Sequence, residues 1–188
     1  VSFVEQFAAA ARNSAATVER VPRTAEAIAS AVERLLPPGA RVVVSDPRNL
    51  PVELFAACAR LPGVFAERSR SALAAADVGV TEAFAGVART GSLCVEVDAG
   101  CTGYASLLVR LHVAVLAEQN IVERPGDLFR ADRLGGEGLR RNFVFITGPS
   151  ATADMGPLVR GVHGPHQLHI LLVRGAGTAS SPPAQVLA

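Results

Sequence analysis

Short apolar runs recur along the chain, at residues 41–45, 77–81, 92–97, 112–116, 143–146 and 168–173, and each is broken by Gly, Pro or charge before it grows longer. Val, Ile, Leu and Phe dominate them, as in strands buried on both faces. Helical patterns lie between several of them. Ala25, Ile28, Ala29, Val32, Leu35 and Leu36 share one helical face over 25–36, with Glu26, Glu33 and Arg34 off it, and Pro37-Pro38-Gly39 ends the helix. Pro51 suits the first position of a helix over 52–61, which Pro62-Gly63 ends. Buried strands alternating with helices predict an α/β domain of three layers around a mostly parallel sheet.

The remaining stretches are read with less help from periodicity. The first twelve residues carry Glu5 inside an apolar run and no basic start, which predicts a short amphipathic helix rather than a leader. Residues 1–23 then read as a helical extension of one domain over 1–173. A short strand is expected at 64–67, a turn or short helix at 72–76, a short helix at 82–88, and helices near 104–111 and 127–133. Residues 135–138 read as a flexible loop. The segment 174–188 is small, aperiodic and rich in Gly, Pro and Ser, so a flexible tail is expected.

Composition narrows the function classes. Of the 188 residues, 49% are hydrophobic and 19% charged, which describes a globular chain rather than a disordered one. The net charge is +1 with no clustered basic excess, so nucleic acid is not an expected partner. Charge interrupts every apolar stretch before the roughly 18 residues needed to span a bilayer, so no membrane insertion is expected. Cys58, Cys94 and Cys101 form no CxxC pair. They point to a reducing compartment, by default the cytoplasm, and to no iron–sulfur cluster or zinc site on this chain.

Chemistry concentrates in residues 142–173. The run at 143–146 stops at Thr147-Gly148-Pro149-Ser150, where Ser150 is a good helix N-cap. Thr152 and Asp154 would follow in a first helical turn. Free N–H groups and roughly half a positive charge at such a terminus suit a small anionic ligand. Gly148 would admit a ligand to the backbone, and Ser150 and Thr152 offer hydroxyls. The plainer alternative is that Ser150 only caps the helix while Asp154 complements its dipole. The spacing of His163, His166 and His169 converges neither on a helix face nor on a strand face, so no metal is assigned to them. His163 is instead a candidate hydrogen-bonder or proton donor, beside Gly164 in the turn at 161–165, with a structural turn histidine as the alternative.

These motifs carry a resemblance. GPSATAD at 148–154 followed by GVHGP at 161–165, with Thr81-Glu82, Thr90-Gly91-Ser92-Leu93 and His112-Val113 upstream, is similar to the LUD-domain proteins, specifically the lactate utilization protein C family. The likeness runs from about Thr24 to Val173. It implies a fold like the NagB/RpiA/CoA-transferase group and a role in bacterial L-lactate oxidation beside iron–sulfur partner subunits. Members usually carry a basic residue where this chain has Ala151 and an acidic one where it has Gly156. Glutamates act as nucleophiles in CoA transferases of that fold, so Glu82 joins Asp154 and His163 as a candidate catalytic residue. Thr81, Thr90, Gly91, Gly148, Pro149, Ser150, Thr152 and Gly164 are candidate ligand-binding positions. The alternative role of Glu82 is an exposed glutamate at a helix start, favoured by the helix dipole.

Three functions compete at this stage: a non-iron–sulfur component of a lactate-oxidising system, a free-standing enzyme of the same fold acting on a phosphorylated or CoA-linked small molecule, and a ligand-binding module without catalysis.

Overall fold

The computed structural model describes residues 2–97, 100–130, 142–153 and 156–174. Its centre is a five-stranded sheet built from β1 (Thr17–Val21), β2 (Val42–Val44), β3 (Val78–Ala83), β6 (Leu111–Ala117) and β11 (Gln167–Val173), in the order β1-β11-β6-β3-β2. All its pairings are parallel. A second sheet, β7-β4-β5-β8, joins β4 (Ala85–Val87), β5 (Ser92–Glu96), β7 (Ile121–Val122) and β8 (Phe143–Ile146), with β8 antiparallel to β5. Antiparallel β9 (Ala151–Thr152) and β10 (Val159–Arg160) form a small ribbon.

Side chains alternate across the parallel sheet, and each face collects its own core. Val42, Val78, Val80, Val113, Val115 and Leu171 meet α2 (Ala25–Glu33) and α3 (Glu53–Ala56) through Ile28, Val32, Leu54 and Phe55. On the other face Ala114, Leu116, Ile170 and Leu172 pack against Phe7 and Ala11 of α1 (Phe3–Asn13) and against Leu93 and Val95 of β5. Further along that face, α4 (Arg70–Ala74) and α5 (Thr102–Leu107) enclose Val43 with Leu73, Ala105 and Val109. Gly79 is obligatory there: a Cβ on it would stand 1.8 Å from the Ala105 carbonyl oxygen. The α1 terminus is closed by a capping box between Ser2 and Glu5.

Several sequence expectations change. Residues 82–88 are not helical. They complete β3 and form β4, buried apart from the half-buried Phe84, because packing on Leu116 and Phe7 overrides a stretch of mostly small residues with no period of its own. Residues 64–67 contribute a single bridge, Val42 to Val64, and the helix over 52–61 divides into α3 and a 3₁₀ turn at Cys58–Arg60. A 3₁₀ turn, Pro125–Phe129, occupies the start of the helix expected at 127–133. The segment read as an N-terminal helical extension contains β1, which pairs with β11 as an edge of the main sheet. The loop expected at 135–138 lies outside the described residues, as does the tail apart from Arg174. Among the described residues no helix is long and apolar enough to cross a membrane.

Candidate functional site

The carboxyl ends of β2 and β3 carry the most developed polar site. Ser45 continues the β2 register by donating its N–H to the Val80 carbonyl at 2.9 Å. Asp46-Pro47 then turn the chain, and the loop folds over Glu82. The Glu82 carboxylate, 7% exposed, accepts the Arg48 amide at 2.7 Å and the Asn49 amide at 3.0 Å on Oε2. Oε2 also accepts Asn49 Nδ2 at 3.4 Å, while Oε1 carries one 3.2 Å bond from the Asn49 amide. A buried carboxylate is thus held by charge-assisted bonds, with Oε1 its less occupied oxygen. The Arg48 guanidinium reaches across to Glu96 on β5 at 3.0 Å.

Between Ser45, Asn49, Glu82, Glu96 and Thr102 lies a space of about 20 Å³, room for about one water molecule. Ser45 and Asp46 also line a larger cleft of about 380 Å³, walled by Pro47, Val52, Phe55 and Phe65. Its volume falls within the range of small-molecule sites. Arg68 stands at this cleft and donates to the Val44 carbonyl at 3.0 Å and the Phe65 carbonyl at 3.2 Å. Glu82 lines the small space and not the cleft, and Ser45 and Asp46 are common to both. An oxygen of a carboxylate fixed in this way can act as base or nucleophile toward a group that enters the small space. The same bonds also make Glu82 the anchor of its loop.

The other sequence-predicted residues are elsewhere. Thr81 is buried and shares a 2.7 Å hydrogen bond with His112 Nε2 inside the sheet. Thr90, Ser92 and Thr147 form a chain of hydroxyls, each link 2.7 Å. Gly91 and Gly148 both have positive φ and press on the end of α1: a Cβ on Gly91 would meet the Ala11 nitrogen at 2.2 Å, and one on Gly148 the Ser14 carbonyl at 2.0 Å. The helix expected after Ser150 is absent. Thr152 belongs to β9, Ser150 donates its N–H to the Pro165 carbonyl at 2.9 Å and accepts the His163 amide on Oγ at 3.3 Å, and its carbonyl accepts Gly161. The anion-binding argument drawn from a helix terminus goes with that helix. Asp154 lies outside the described residues.

Ser150, His163 and Gly164 therefore meet, with the half-buried Pro149 beside them in the chain, and Thr90, Gly91 and Gly148 gather at the end of α1. This assembly sits at the amino ends of the parallel strands, because a Cβ on Gly164 would lie 3.7 Å from the Leu107 carbonyl and Gln167 pairs with Arg110 just before β6. Glu82 stands at the carboxyl ends. Sequence reasoning missed Asp46, Arg48, Asn49, Arg68, Glu96 and Thr102. The available signal was the polar stretch directly after the buried run at 41–45, where parallel strands place their ligand crevice.

The family model for the LUD domain matches residues 4–173. The chain belongs to the LUD-domain family. Over 93 residues it is 38% identical to the lactate utilization protein C of Shouchella clausii, covering 48% of this chain and 41% of that protein. The lactate utilization protein C of Halalkalibacterium halodurans is 35% identical over 94 residues, with coverages of 48% and 41%. An uncharacterized protein of Neisseria meningitidis is 31% identical over 98 residues, with coverages of 52% and 42%. The matches thus span about two fifths of these curated relatives. The fold is that of a DUF162-family protein from Deinococcus radiodurans, with a TM-score of 0.64 at 21% identity over 92% of this chain and 96% of that one.

The cysteines of this LUD domain lie in three separate apolar clusters. Burial pushes the Cys58 thiol up to about 11 and the Cys94 thiol to about 12, so both stay protonated and poor as ligands or nucleophiles at neutral pH. The histidines are also dispersed. Burial lowers His112 to about 3. His169 bonds Thr17 at 2.6 Å and is lowered by burial, against the opposing pull of Glu19. Among the described residues, no group of three or more His, Cys, Asp or Glu is placed to hold a metal ion.

Proposed function

We propose that this chain is a LUD-domain component of a lactate-oxidising system, acting beside iron–sulfur partner subunits and using the Glu82 crevice for a small molecule. The carrying observation is the likeness of about half the chain to two proteins named lactate utilization protein C, within a LUD-family match over most of the chain. The site supports the reading through a buried carboxylate held by two backbone amides, whose small space shares Ser45 and Asp46 with a cleft of about 380 Å³. The iron–sulfur chemistry belongs to the partners in this reading, since the buried thiols of this chain are dispersed.

Deletion of the gene in its host tests the role, with growth on L-lactate as sole carbon source compared with growth on glucose. Loss of growth on lactate alone, restored by the wild-type gene, and co-purification with iron–sulfur proteins are the expected results. Normal growth on lactate would overturn the assignment. A thermal-shift screen with lactate, CoA and sugar phosphates separates it from a free-standing enzyme, for which CoA or a sugar phosphate would raise Tm.

A further inference from the structure

We infer that β8 is a dimerisation strand, pairing antiparallel with β8 of a second copy of this chain. The inference starts from where the backbone groups of β8 point. Val97 donates its N–H to the Asn142 carbonyl at 2.8 Å, and the register places Val144 opposite Val95 and Ile146 opposite Leu93. In an antiparallel ladder hydrogen-bonded pairs alternate, so residues 142, 144 and 146 bond to β5. The N–H and C=O of Phe143 and Phe145 then face away from β5. β8 is the last strand of its sheet, and those groups meet no partner among the described residues.

Other sheet edges among the described residues are guarded. β1 carries Glu19 and Arg20, which pair with Arg34 and Glu118. The outer side of β2 is covered, since Val42 bonds the Gly63 carbonyl and accepts the Phe65 amide. β7 is two residues long. β8 has neither a charge nor a proline, and its Phe145 is 42% exposed. Exposed edges of this kind are templates for another strand. Phe145 packs edge-on to Phe143 at 5.7 Å, and Phe143 lies 6.3 Å from Phe129, itself 48% exposed, so an aromatic patch flanks the open edge.

A second copy satisfies this edge in full. With Val144 on the two-fold axis, Phe143 of one copy faces Phe145 of the other, and each pair exchanges two backbone hydrogen bonds. The rings interleave on one face, an arrangement that favours cross-strand pairs. The uncharged strand brings no like-charge repulsion to such an isologous contact. A foreign strand would supply the same bonds, but nothing on this edge offers a charge to select one.

Sedimentation velocity over a wide dilution series, combined with hydrogen exchange, tests the inference. The expected result is a concentration-dependent dimer in which the Phe143 and Phe145 amides gain protection as dimer forms, while Val144 and Ile146 are protected at every concentration. Phe145→Pro removes an outward N–H without touching the ladder to β5, and Phe145→Lys adds charge to the edge. Both are expected to be monomeric with a wild-type circular dichroism spectrum. If Phe145→Pro fails to fold, the lysine variant and the wild-type exchange pattern still decide. A wild-type chain that stays monomeric, or a dimer with fast exchange at Phe143 and Phe145, would overturn the inference. A monomer whose two amides gain protection only with a different protein would assign the edge to that partner instead.

Discussion

Removing the Glu82 carboxylate should loosen the loop at 46–50 before it affects anything else. Glu82→Ala takes away the acceptor of two backbone amides, Arg48 at 2.7 Å and Asn49 at 3.0 Å, and of Asn49 Nδ2 at 3.4 Å. A buried donor left without an acceptor costs about 1–3 kcal/mol. With two amides affected, and water able to enter the space left by the side chain, the loss of stability should be about 2–4 kcal/mol. Glu82→Gln keeps one acceptor oxygen but turns an N–H₂ group toward the Asn49 amide, so about 1–2 kcal/mol is expected. Urea midpoints at unchanged slope measure both losses, and hydrogen exchange should quicken at Arg48 and Asn49. An alanine variant within about 0.5 kcal/mol of wild type would refute the anchoring role. The glutamine variant also separates anchoring from chemistry: if it stays folded and still supports growth on lactate, the carboxylate charge is not needed in the reaction.

Other perturbations should be as specific. Gly79→Ala forces a Cβ against the α5 backbone and should cost about 3 kcal/mol or more, whereas Gly126→Ala, with nothing within 4 Å, should stay within about 0.5 kcal/mol in urea titrations. Burial holds the folded pKa of His112 at about 3 against an ordinary histidine value of 6.5, so between those values the unfolded chain binds the extra proton. Stability should therefore fall as pH drops below about 6.5, by up to about 1.4 kcal/mol per unit, and His112→Gln should flatten that slope relative to wild type in thermal melts. Cys58 and Cys94 should resist Ellman's reagent in the native protein and react in urea; fast native reaction would contradict their burial.

The parallel core was legible because a strand buried on both faces has to be largely apolar, and residues 42–44, 78–80, 112–116 and 168–173 are so apart from His112 and His169. Residues 82–88 were not, because Ala83, Ala85, Gly86 and Ala88 suit helix or strand alike; what decides is a sheet formed with residues far along the chain. The turn after β8 misled for a related reason. Ser150 and Thr152 read as helix-cap chemistry, but the same polar groups serve a hairpin, and the deciding bonds reach Gly161 and Pro165. At the site, Glu82 was recognisable as a carboxylate near a strand end. Its partners Arg48 and Asn49 lie 34 and 33 residues away, in a stretch that reads locally only as a strand stop.

The two ends of the parallel sheet then limit any mechanism. β6 runs seven residues, about 20 Å at roughly 3.3 Å per residue, with the Ser150–His163 assembly beyond its first residue and Glu82 opposite Val115 toward its last. A metabolite the size of lactate cannot touch both ends, so Glu82 and His163 of one copy cannot act on the same small substrate. A conformational change that joined them would have to break the β3–β6 ladder, which is buried along its whole length. A reaction that used Glu82 would therefore draw on the groups that line the same space, Asn49, Arg48 and Glu96, and not on His163.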